Sequence, residues 1–561
     1  MCSMTAHADA RCTISQYLLH RLKEAGISHL FGVPGDYILD FLDEVLVSPL
    51  QWIGTCNELN AGYAADGYAR MNGAGAAVVT YGVGGLSILN AVAGAYAERV
   101  PLIVVSGAPP AHRREAGALV HHLVADYYVQ LDIFKKVTID AAIITDADSA
   151  PDEIDRVMMN AVIHKLPVYI ELPVDMARMT CRSPLPASRP HKRLCDPESL
   201  EECVEEAARL LDASTNPVVL AGVELLRFGL GKDALALVET IEIPFATMLS
   251  SKCVLPEMHP QFIGIYQGSW SREAVKRQVE SSDCLLSLGV WITDLDTGLF
   301  SMNFDNRRII DAGDGVVRIG RHFYHDVELG DFIRALAKKA KTRLYVNSHP
   351  DEARRPRGPF VPEKDRVLSA SRLYECVNSF LDDHMVLLAE PGDAFCAAPE
   401  FHIEEAENFI VQAYYTSIGF CTPAALGVAA ARPKKRPVVL TGDGALQMTV
   451  QEISTLIRQR LPAVVILINN DGYLIERVLH EDGLYNDIQM WNYASLPAAF
   501  GGGDRVIGIR AGNEEELAQA FVTAAAEKDK LVFIEAILPN RDCSEGLSRL
   551  GASFRQTQTK K

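Results

Sequence analysis

The sequence lacks the features of a membrane, secreted or disulfide-bonded protein. No stretch approaches the roughly 18 consecutive apolar residues that a membrane span needs, and residues 1–12 have no apolar signal core. The 12 cysteines are scattered, with no CxxC pair and no histidine cluster at metal spacing. This pattern indicates that the cysteines are small, buried apolar side chains of a protein in a reducing compartment. We therefore expect a soluble cytoplasmic protein without a membrane partner.

The sequence also lacks a basic stretch and the common phosphate-binding fingerprints. With a formal net charge of −18, the chain is not expected to bind nucleic acid or anionic membrane surfaces. Residues 82–85 (GVGG) follow an apolar run but do not match G-x-G-x-x-G, and no Walker-type lysine motif exists. We interpret residues 82–85 as a close-packing turn whose place after a strand allows contact with a ligand.

The length of 561 residues is too great for one hydrophobic core. Two Pro-rich, charged stretches, 182–200 and 347–365, are predicted linkers. They divide the chain into predicted domains at 1–185, 198–346 and 366–561. Because apolar runs alternate with helical patterns in each, we predict an α/β protein of three doubly wound parallel-sheet domains.

The most informative stretch is 441–479, in which polar residues follow two predicted buried strands. Gly442-Asp443-Gly444 comes after the strand 437–440, and Asn469-Asn470 ends the strand 463–468. The carboxyl ends of strands in an open α/β sheet are where ligands bind. Either motif alone is usually only a tight turn, but their occurrence together on one predicted strand-helix-strand unit favours a ligand site.

The residue types at this edge suit a hard cation and an anion. Side-chain oxygens of Asp443 and Asn470, with the carbonyl of Gly472, leave room for a Mg²⁺ that completes its octahedron with phosphate oxygens and water. The backbone N–H groups of Gly444 and Ala445 lie at a predicted helix N-terminus, which attracts anions.

With these motifs the sequence resembles the thiamine diphosphate enzymes. The resemblance implies that Asp443, Asn470 and the Gly472 carbonyl bind Mg²⁺. It also implies that the diphosphate is lined by Gly444, Ala445, Leu474 and Ile475, and that Asn470, Gly472 and Tyr473 belong to the cofactor-binding residues. Relatives often have Ser in place of Ala445, so one hydroxyl contact is expected to be missing.

The resemblance extends to residues that would contact the rest of the cofactor. Glu58, in the context Asn57-Glu58-Leu59-Asn60, resembles the carboxylate that hydrogen-bonds the aminopyrimidine, although a lone Glu at a strand end is usually only a solvated or helix-N-terminal charge. Asp393 resembles a cofactor contact, and its neighbour Pro391 departs from the Thr or Gln of relatives. The segment Thr416-Ser417-Ile418 resembles the one that bends the cofactor, with the Thr416 carbonyl on its amino group and Ile418 between its rings. A single Ile is otherwise most often ordinary core.

Four further residues indicate the reaction class. Asp36, the pair His121-His122 and Glu476 together resemble the pyruvate and indolepyruvate decarboxylase group, in which they would supply proton donors after CO₂ departs. A histidine pair by itself is more often part of a solvated loop. Acetolactate synthases are not expected to show this pair and usually carry FAD.

Side-chain volume suggests the substrate. Bacterial pyruvate-specific relatives have Trp and Phe where this chain has Phe395 and Cys396, and both changes enlarge the pocket. Val478 and Leu479 are predicted to form another wall. We therefore expect 2-oxo acids with larger branched or aromatic side chains to be preferred over pyruvate.

The sequence thus predicts a Mg²⁺- and thiamine diphosphate-dependent 2-oxo acid decarboxylase, a carbon-carbon lyase that releases an aldehyde and CO₂. The resemblance implies a homodimer as the minimal active unit and a homotetramer as the expected assembly. Two alternatives are a carboligase of the same superfamily and a catalytically inactive homologue that serves as a binding subunit. The joint presence of the residues named above argues against the second.

Overall fold

A computed structural model describes residues 11–184, 195–342 and 358–558. The two predicted linkers overlap residues 185–194 and 343–357, which lie outside the described residues. The predicted domain boundaries at 185 and 346 also fall in these two ranges. The described chain forms three blocks, each with its own sheet.

The N-terminal block is built on a six-stranded parallel sheet with strand order β3-β2-β4-β5-β7-β6. An antiparallel pair, β1 with β8, joins the two ends of the block. The strands are β1 (Arg11–Thr13), β2 (His29–Gly32), β3 (Gln51–Gly54), β4 (Gly75–Val79), β5 (Leu102–Ala108), β6 (Asp140–Ile143), β7 (Val168–Pro173) and β8 (Thr180–Arg182). The helices are α1 (Ile14–Glu24), α2 (Leu39–Val47), α3 (Glu58–Asn72), α4 (Val83–Ser87), α5 (Leu89–Ala97), α6 (Ala111–Glu115), α7 (Val129–Val137), α8 (Ala150–His164) and α9 (Val174–Ala177).

The middle block has a seven-stranded sheet with strand order β11-β10-β9-β12-β13-β14-β15. The strands are β9 (Pro217–Ala221), β10 (Phe245–Thr247), β11 (Phe262–Ile265), β12 (Cys284–Leu288), β13 (Ile309–Gly313), β14 (Gly315–Ile319) and β15 (His322–Val327). The helices are α10 (Pro197–Ala213), α11 (Val223–Arg227), α12 (Gly231–Ile241), α13 (Glu273–Glu280) and α14 (Leu329–Lys339).

The C-terminal block repeats the parallel six-stranded plan with strand order β17-β16-β18-β19-β21-β20. The strands are β16 (Met385–Ala389), β17 (Phe409–Val411), β18 (Arg436–Gly442), β19 (Val464–Asn469), β20 (Val506–Ala511) and β21 (Leu531–Ile537). The helices are α15 (Ala370–Phe380), α16 (Asp393–Cys396), α17 (Cys421–Ala431), α18 (Asp443–Thr449), α19 (Ile453–Arg458), α20 (Leu474–Leu479), α21 (Leu496–Ala499), α22 (Glu514–Ala526) and α23 (Glu545–Gln558).

The predicted α/β class with three sheet domains is confirmed, with one correction in the middle block. There β14 is antiparallel to both β13 and β15, so that sheet is mixed and not wholly parallel. The reason lies in the connections: one residue, Asp314, separates β13 from β14, and two residues separate β14 from β15. A connection this short can join only antiparallel strands.

Helices α3 and α17 hold the N-terminal and C-terminal blocks together. A Cβ atom on Gly427 would collide with the carbonyl oxygen of Ala64, and one on Gly67 with the carbonyl oxygen of Ala424. Small residues thus let the two backbones meet almost directly. Side chains of both blocks consequently form one buried cluster, which includes Tyr63 and Phe420.

In both parallel sheets the strand order reverses between two neighbouring strands, β2 and β4 in the N-terminal sheet and β16 and β18 in the C-terminal sheet. Such switch points leave a crevice beyond the carboxyl ends of the strands, which is where open α/β sheets bind ligands. The two switch points are therefore the positions to search for a site. No helix in the described part of the chain is both long and apolar enough to cross a membrane.

Candidate functional site

A cleft of about 480 Å³, open mouth included, lies at the C-terminal switch point. Strand β16 ends just before Glu390, β18 ends at Gly442, and β19 ends at Asn469. The residues that line the cleft are 390–394, Ile418, 442–445, Ile468, Asn470 and 472–475. Among them are ten predicted site residues, namely Asp393, Ile418, Asp443, Gly444, Ala445, Asn470, Gly472, Tyr473, Leu474 and Ile475.

Asp443 connects two of the segments that line the cleft. Its Oδ2 accepts the N–H of Asn470 at 3.2 Å and the N–H of Gly472 at 3.0 Å, so its carboxylate folds the 470–472 turn onto the end of β18. Burial raises the pKa of Asp443, and the N–H donors oppose that rise. The carboxylate of Asp443 therefore adjoins Asn470 and Gly472, and hard oxygen ligands for one cation are brought to one place.

The backbone around Asp443 is shaped for a close approach. The Oδ1 atom of Asp443 accepts the N–H of Gly444 at 2.7 Å, so that predicted phosphate donor faces the carboxylate in this structure. The ring of Tyr473 lies where a side chain on Gly444 would have to go. No atom lies within 4 Å of a Cβ position on Gly442, so the cleft is open there.

Glu390 is a cleft residue that the sequence reasoning did not single out. It is 1% exposed and accepts N–H groups of Phe420 at 3.0 Å and Cys421 at 3.2 Å, as well as the hydroxyl of Thr441 at 3.2 Å. Burial raises the pKa of Glu390 to about 7. Its place directly after the apolar strand β16 is the same signal that identified Asp443 after β18.

The other predicted cofactor residues of this block differ in their surroundings. Asp393 accepts the hydroxyl of Tyr374 at 2.6 Å and the N–H of Ser544 at 2.9 Å, and burial raises its pKa. Thr416 has a left-handed backbone with φ +53°. The hydroxyl of Ser417 is hydrogen-bonded to that of Tyr63 at 2.6 Å, so this side chain points toward the N-terminal block and away from the cleft.

A second group of predicted residues meets at the N-terminal switch point. The Nε2 atom of His121 lies 2.6 Å from Oδ2 of Asp36, and the His121 ring stacks on that of Tyr37 at 4.6 Å between centroids. The ring of His122 is 4.7 Å from that of His121. His122 has φ +67°, and its Nδ1 is buried without a hydrogen-bond partner. A carboxylate and two imidazoles are thus held together at an exposed edge.

Glu58 begins helix α3 beside this group. Asn57 caps the helix by accepting the N–H of Asn60 at 2.8 Å. The Oε1 atom of Glu58 lies 3.3 Å from a Cβ position on Gly84, and Thr80, whose hydroxyl is buried without a partner, packs against the same glycine. The predicted close-packing turn 82–85 therefore runs between Glu58 and His122, which contacts Gly82.

Five further predicted site residues, all in the C-terminal block, also lie outside the cleft lining. Glu476 is exposed on the first turn of α20. Phe395 and Cys396 are buried in the core of the C-terminal block, and Cys396 also lines a crevice against the middle block. Val478 and Leu479 pack on that core, with Val478 against Gly551 of α23.

Within one chain the two groups of residues remain separate. Among the described residues, the cleft lining includes none from the N-terminal block. Hydrogen bonds away from the cleft link the two blocks, among them Tyr63 to Ser417 and Asn60, whose side-chain amide donates to Glu452 at 2.7 Å. Of the N-terminal group, Asp36 and His121 are exposed, whereas Glu58 and His122 are half-buried.

Three family models cover most of the chain. The N-terminal TPP binding domain of the thiamine pyrophosphate enzymes matches residues 12–130. The central domain of the same enzymes matches residues 204–339, and the C-terminal TPP binding domain matches residues 393–536.

Relatives that match nearly the whole chain agree with the family models. The chain is 38% identical over 548 residues to a protein of Mycobacterium leprae, covering 97% of this chain and 95% of that protein. It is 37% identical over 557 residues to a protein of Mycobacterium ulcerans, covering 98% and 97%, respectively. A Mycobacterium tuberculosis protein is 37% identical over 553 residues, covering 98% of each chain. All three relatives are named alpha-keto-acid decarboxylase, and the chain therefore belongs to the thiamine diphosphate-dependent 2-oxo acid decarboxylase family.

Proposed function

We propose that the protein decarboxylates 2-oxo acids without oxidation, releasing an aldehyde and CO₂, with thiamine diphosphate and Mg²⁺ as cofactors. The observation that carries the proposal is the cleft in which Asp443 lies against Asn470 and Gly472 at a sheet switch point. The names of the relatives support the same reaction class.

The cleft fits a metal-bound diphosphate by its chemistry and its shape. Asp443, Asn470 and the carbonyl of Gly472 provide only hard oxygens, as Mg²⁺ requires, and leave positions for phosphate oxygens and water. The diphosphate would lie along residues 442–445 and 472–475, where Gly442 leaves the cleft open. Ala445 offers no hydroxyl, so backbone N–H groups would carry that contact.

The remaining cofactor contacts would come from the segment at residues 416–418 and from Glu58 of the N-terminal edge. Ile418, half-buried at the edge of the cleft, would lie between the two rings of the cofactor, and the Thr416 carbonyl would hold its amino group. When bound, thiamine diphosphate would supply a carbon nucleophile for the 2-oxo carbonyl and a cationic ring that takes up the electron pair left when CO₂ departs. The carboxylate of Glu58 would share a proton with the pyrimidine ring and so control the protonation of its amino group.

The proton donors that act after CO₂ departs would be Asp36, His121, His122 and Glu476. The hydrogen-bonding distance between Asp36 and His121 lets a proton pass between carboxylate and imidazole, and the stacked Tyr37 fixes the plane of the His121 ring. The unpartnered Nδ1 of His122 is available for a further donor or acceptor.

A complete site would require two chains. Asp36 and His121 of the N-terminal edge are exposed on this chain, and the cleft lining, within the described part of the chain, contains no carboxylate from that edge. We therefore propose a homodimer as the minimal active unit, in which the N-terminal block of one copy covers the cleft of the other, and a homotetramer as the full assembly.

The proposed function predicts a product and a cofactor requirement. Protein stripped of thiamine diphosphate and Mg²⁺ should convert a 2-oxo acid only after both are restored, and the product should be the aldehyde with one CO₂. Gas chromatography of the product with a coupled CO₂ assay measures this. An acyloin or acetohydroxy acid as the main product would favour a carboligase, and turnover without the cofactor would refute the proposal.

Substrate preference is a separate prediction, which depends on Phe395 and Cys396 being smaller than the Trp and Phe of bacterial pyruvate-specific relatives. In this structure both side chains are buried in the core outside the cleft lining, so any effect on the pocket would be transmitted through packing. We expect kcat/KM for phenylpyruvate to exceed that for pyruvate. A hydrophobic pocket discriminates by only ~1–3 kcal/mol per methylene, so several branched substrates should also be accepted. Steady-state kinetics on both acids decides the matter, and a clear preference for pyruvate would contradict the prediction.

A further inference from the structure

Two of the scattered cysteines lie opposite each other in the antiparallel pair of β1 and β8. The register pairs Cys12 directly with Cys181. Two positions along the ladder, the N–H of Ile14 donates to the carbonyl oxygen of Met179 at 3.0 Å, so the two cysteines also occupy a hydrogen-bonded position. The Cα atoms of such a pair are about 5.5 Å apart, which is within the range of roughly 4.4–6.8 Å that a disulfide spans.

The two thiols are free in this structure and contact each other. Directly opposed side chains of an antiparallel pair lie on the same face of the ladder. Burial raises the pKa of Cys181 to about 12, and a hydrogen bond between the two cysteine side chains adds to this rise. A bond between the two sulfur atoms would therefore require little movement of the backbone.

The two cysteines differ in accessibility, and this difference gives each of them a separate role. The side chain of Cys181 is only 1% exposed and belongs to the hydrophobic core of the N-terminal block. Cys12 packs against that core but is only partly buried, so a small solute can reach its sulfur. Cys12 is therefore the thiol that an oxidant meets first, and Cys181 is the second thiol beside it.

The pair of β1 and β8 joins the beginning of the N-terminal block to its end. The ladder is short, and the position next to the cysteines sets Arg11 opposite Arg182. Like charges directly opposite each other destabilise a ladder. A covalent link between Cys12 and Cys181 would stabilise this short pairing. It would also close a loop that contains nearly the whole block, and a disulfide restricts the unfolded chain more when the loop is longer.

We propose that Cys12 and Cys181 form a reversible oxidation site, at which a peroxide converts the two thiols into a disulfide that joins the ends of the N-terminal block. With hydrogen peroxide, the thiolate of Cys12 attacks one oxygen and the O–O bond breaks. Cys12 becomes a sulfenic acid, and the hydroxide that leaves takes up the proton that Cys12 released.

The second step forms the disulfide. The sulfur of Cys181 attacks the Sγ atom of Cys12, the S–O bond breaks, and the proton of Cys181 leaves with the hydroxide as water. In total, two thiols lose two electrons and the peroxide gains them, with two molecules of water as the other product. A dithiol reductant reverses the change by thiol–disulfide exchange.

The inference goes beyond the proposed function and does not depend on it. Neither Cys12 nor Cys181 lines the cleft. The disulfide should therefore make the protein more resistant to unfolding, and it should leave kcat at moderate temperature unchanged.

Peptide mapping of the wild-type protein tests the bond itself. The full-length protein is treated with a small molar excess of hydrogen peroxide, the remaining thiols are blocked with N-ethylmaleimide in denaturant, and the digest is analysed without reduction. We expect a linked peptide that contains Cys12 and Cys181 and that disappears after treatment with dithiothreitol. Recovery of both cysteines as blocked thiols, as sulfinic acids or in links to other cysteines would overturn the inference.

Thermal unfolding tests the consequence of the bond, with Cys12→Ser as the variant and Cys56→Ser as the matched control. Cys56 is also an accessible thiol, but its Sγ lies 3.3 Å from the hydroxyl oxygen of Ser454. Peroxide should raise the melting temperature of the wild type and of Cys56→Ser by roughly 5 °C, and dithiothreitol should reverse the rise. Cys12→Ser should show neither the linked peptide nor the rise.

An equal rise in Cys12→Ser would refute the assigned role of the pair. If Cys12→Ser does not fold, Cys181→Ala takes its place in the unfolding experiment with the same expected loss of the rise. The peptide map requires only the wild type and decides whether the disulfide forms, whichever variant folds.

Discussion

Asp443→Ala is expected to abolish cofactor-dependent decarboxylation. The substitution removes the charged ligand from the proposed Mg²⁺ site and the acceptor for the N–H groups of Asn470 and Gly472. Loss of charged hydrogen bonds of this kind costs roughly 3 kcal/mol, which corresponds to about a 100-fold weaker Kd for thiamine diphosphate. Isothermal titration with the cofactor in the presence of Mg²⁺ measures the change directly.

Asp504→Ala is the control for this experiment. Asp504 is an exposed carboxylate of the same block, in a short turn before β20, and does not line the cleft. Its replacement should leave the Kd within about twofold, as is usual for surface substitutions. If Asp443→Ala binds the cofactor as tightly as Asp504→Ala does, the proposed metal site is wrong.

Glu58→Gln is expected to lower kcat by about 10²–10⁴-fold, the contribution typical of a general acid–base group. Glutamine fills the same volume on the first turn of α3, so cofactor affinity and thermal stability should change much less than kcat. A rate measurement with saturating cofactor, together with a separate binding titration, distinguishes loss of proton transfer from loss of binding. A fall in affinity that accounts for the whole loss of rate would contradict the assigned role.

Co-expression of Glu58→Gln with Asp443→Ala tests whether the site is shared between chains. In a mixed dimer, the intact N-terminal block of one copy can meet the intact cleft of the other, and random pairing should restore about a quarter of the wild-type activity. Separately purified variants mixed without exchange serve as the control. No recovery in a confirmed mixed dimer would place both halves of the site in one chain.

The sequence was sufficient to predict those parts of the site that depend on neighbouring residues. Asp443 and Asn470 each follow a buried strand, and a strand end is visible in the apolar pattern. The hairpin strands of the middle block escaped prediction because β15 has mostly exposed side chains and no apolar run. Its pairing with β14 depends on tertiary context, which local pattern does not report.

Contacts between residues far apart in the sequence are a second reason why parts of the site could not be predicted. Nothing near Glu98 in the sequence indicates that its carboxylate accepts the N–H groups of Tyr414 and Tyr415, just before the segment 416–418. The direction of the Ser417 side chain was likewise invisible, because the hydroxyl of Tyr63 that holds it comes from another block. Glu390, by contrast, follows a buried strand as Asp443 does, and the same reasoning would have found it.

The near-contact of helices α3 and α17 restricts how this molecule can move. At Gly67 and Gly427 the backbones of the two helices are in contact, with no side chains between them. A sliding or rolling motion of one helix past the other would therefore produce a steric clash. We therefore expect the N-terminal and C-terminal blocks to move together as one rigid body. Motion that admits a substrate or releases a product is then expected to occur in the middle block or in loops at the rim of the cleft. A pair of spin labels on α3 and α17 should then keep one separation throughout turnover.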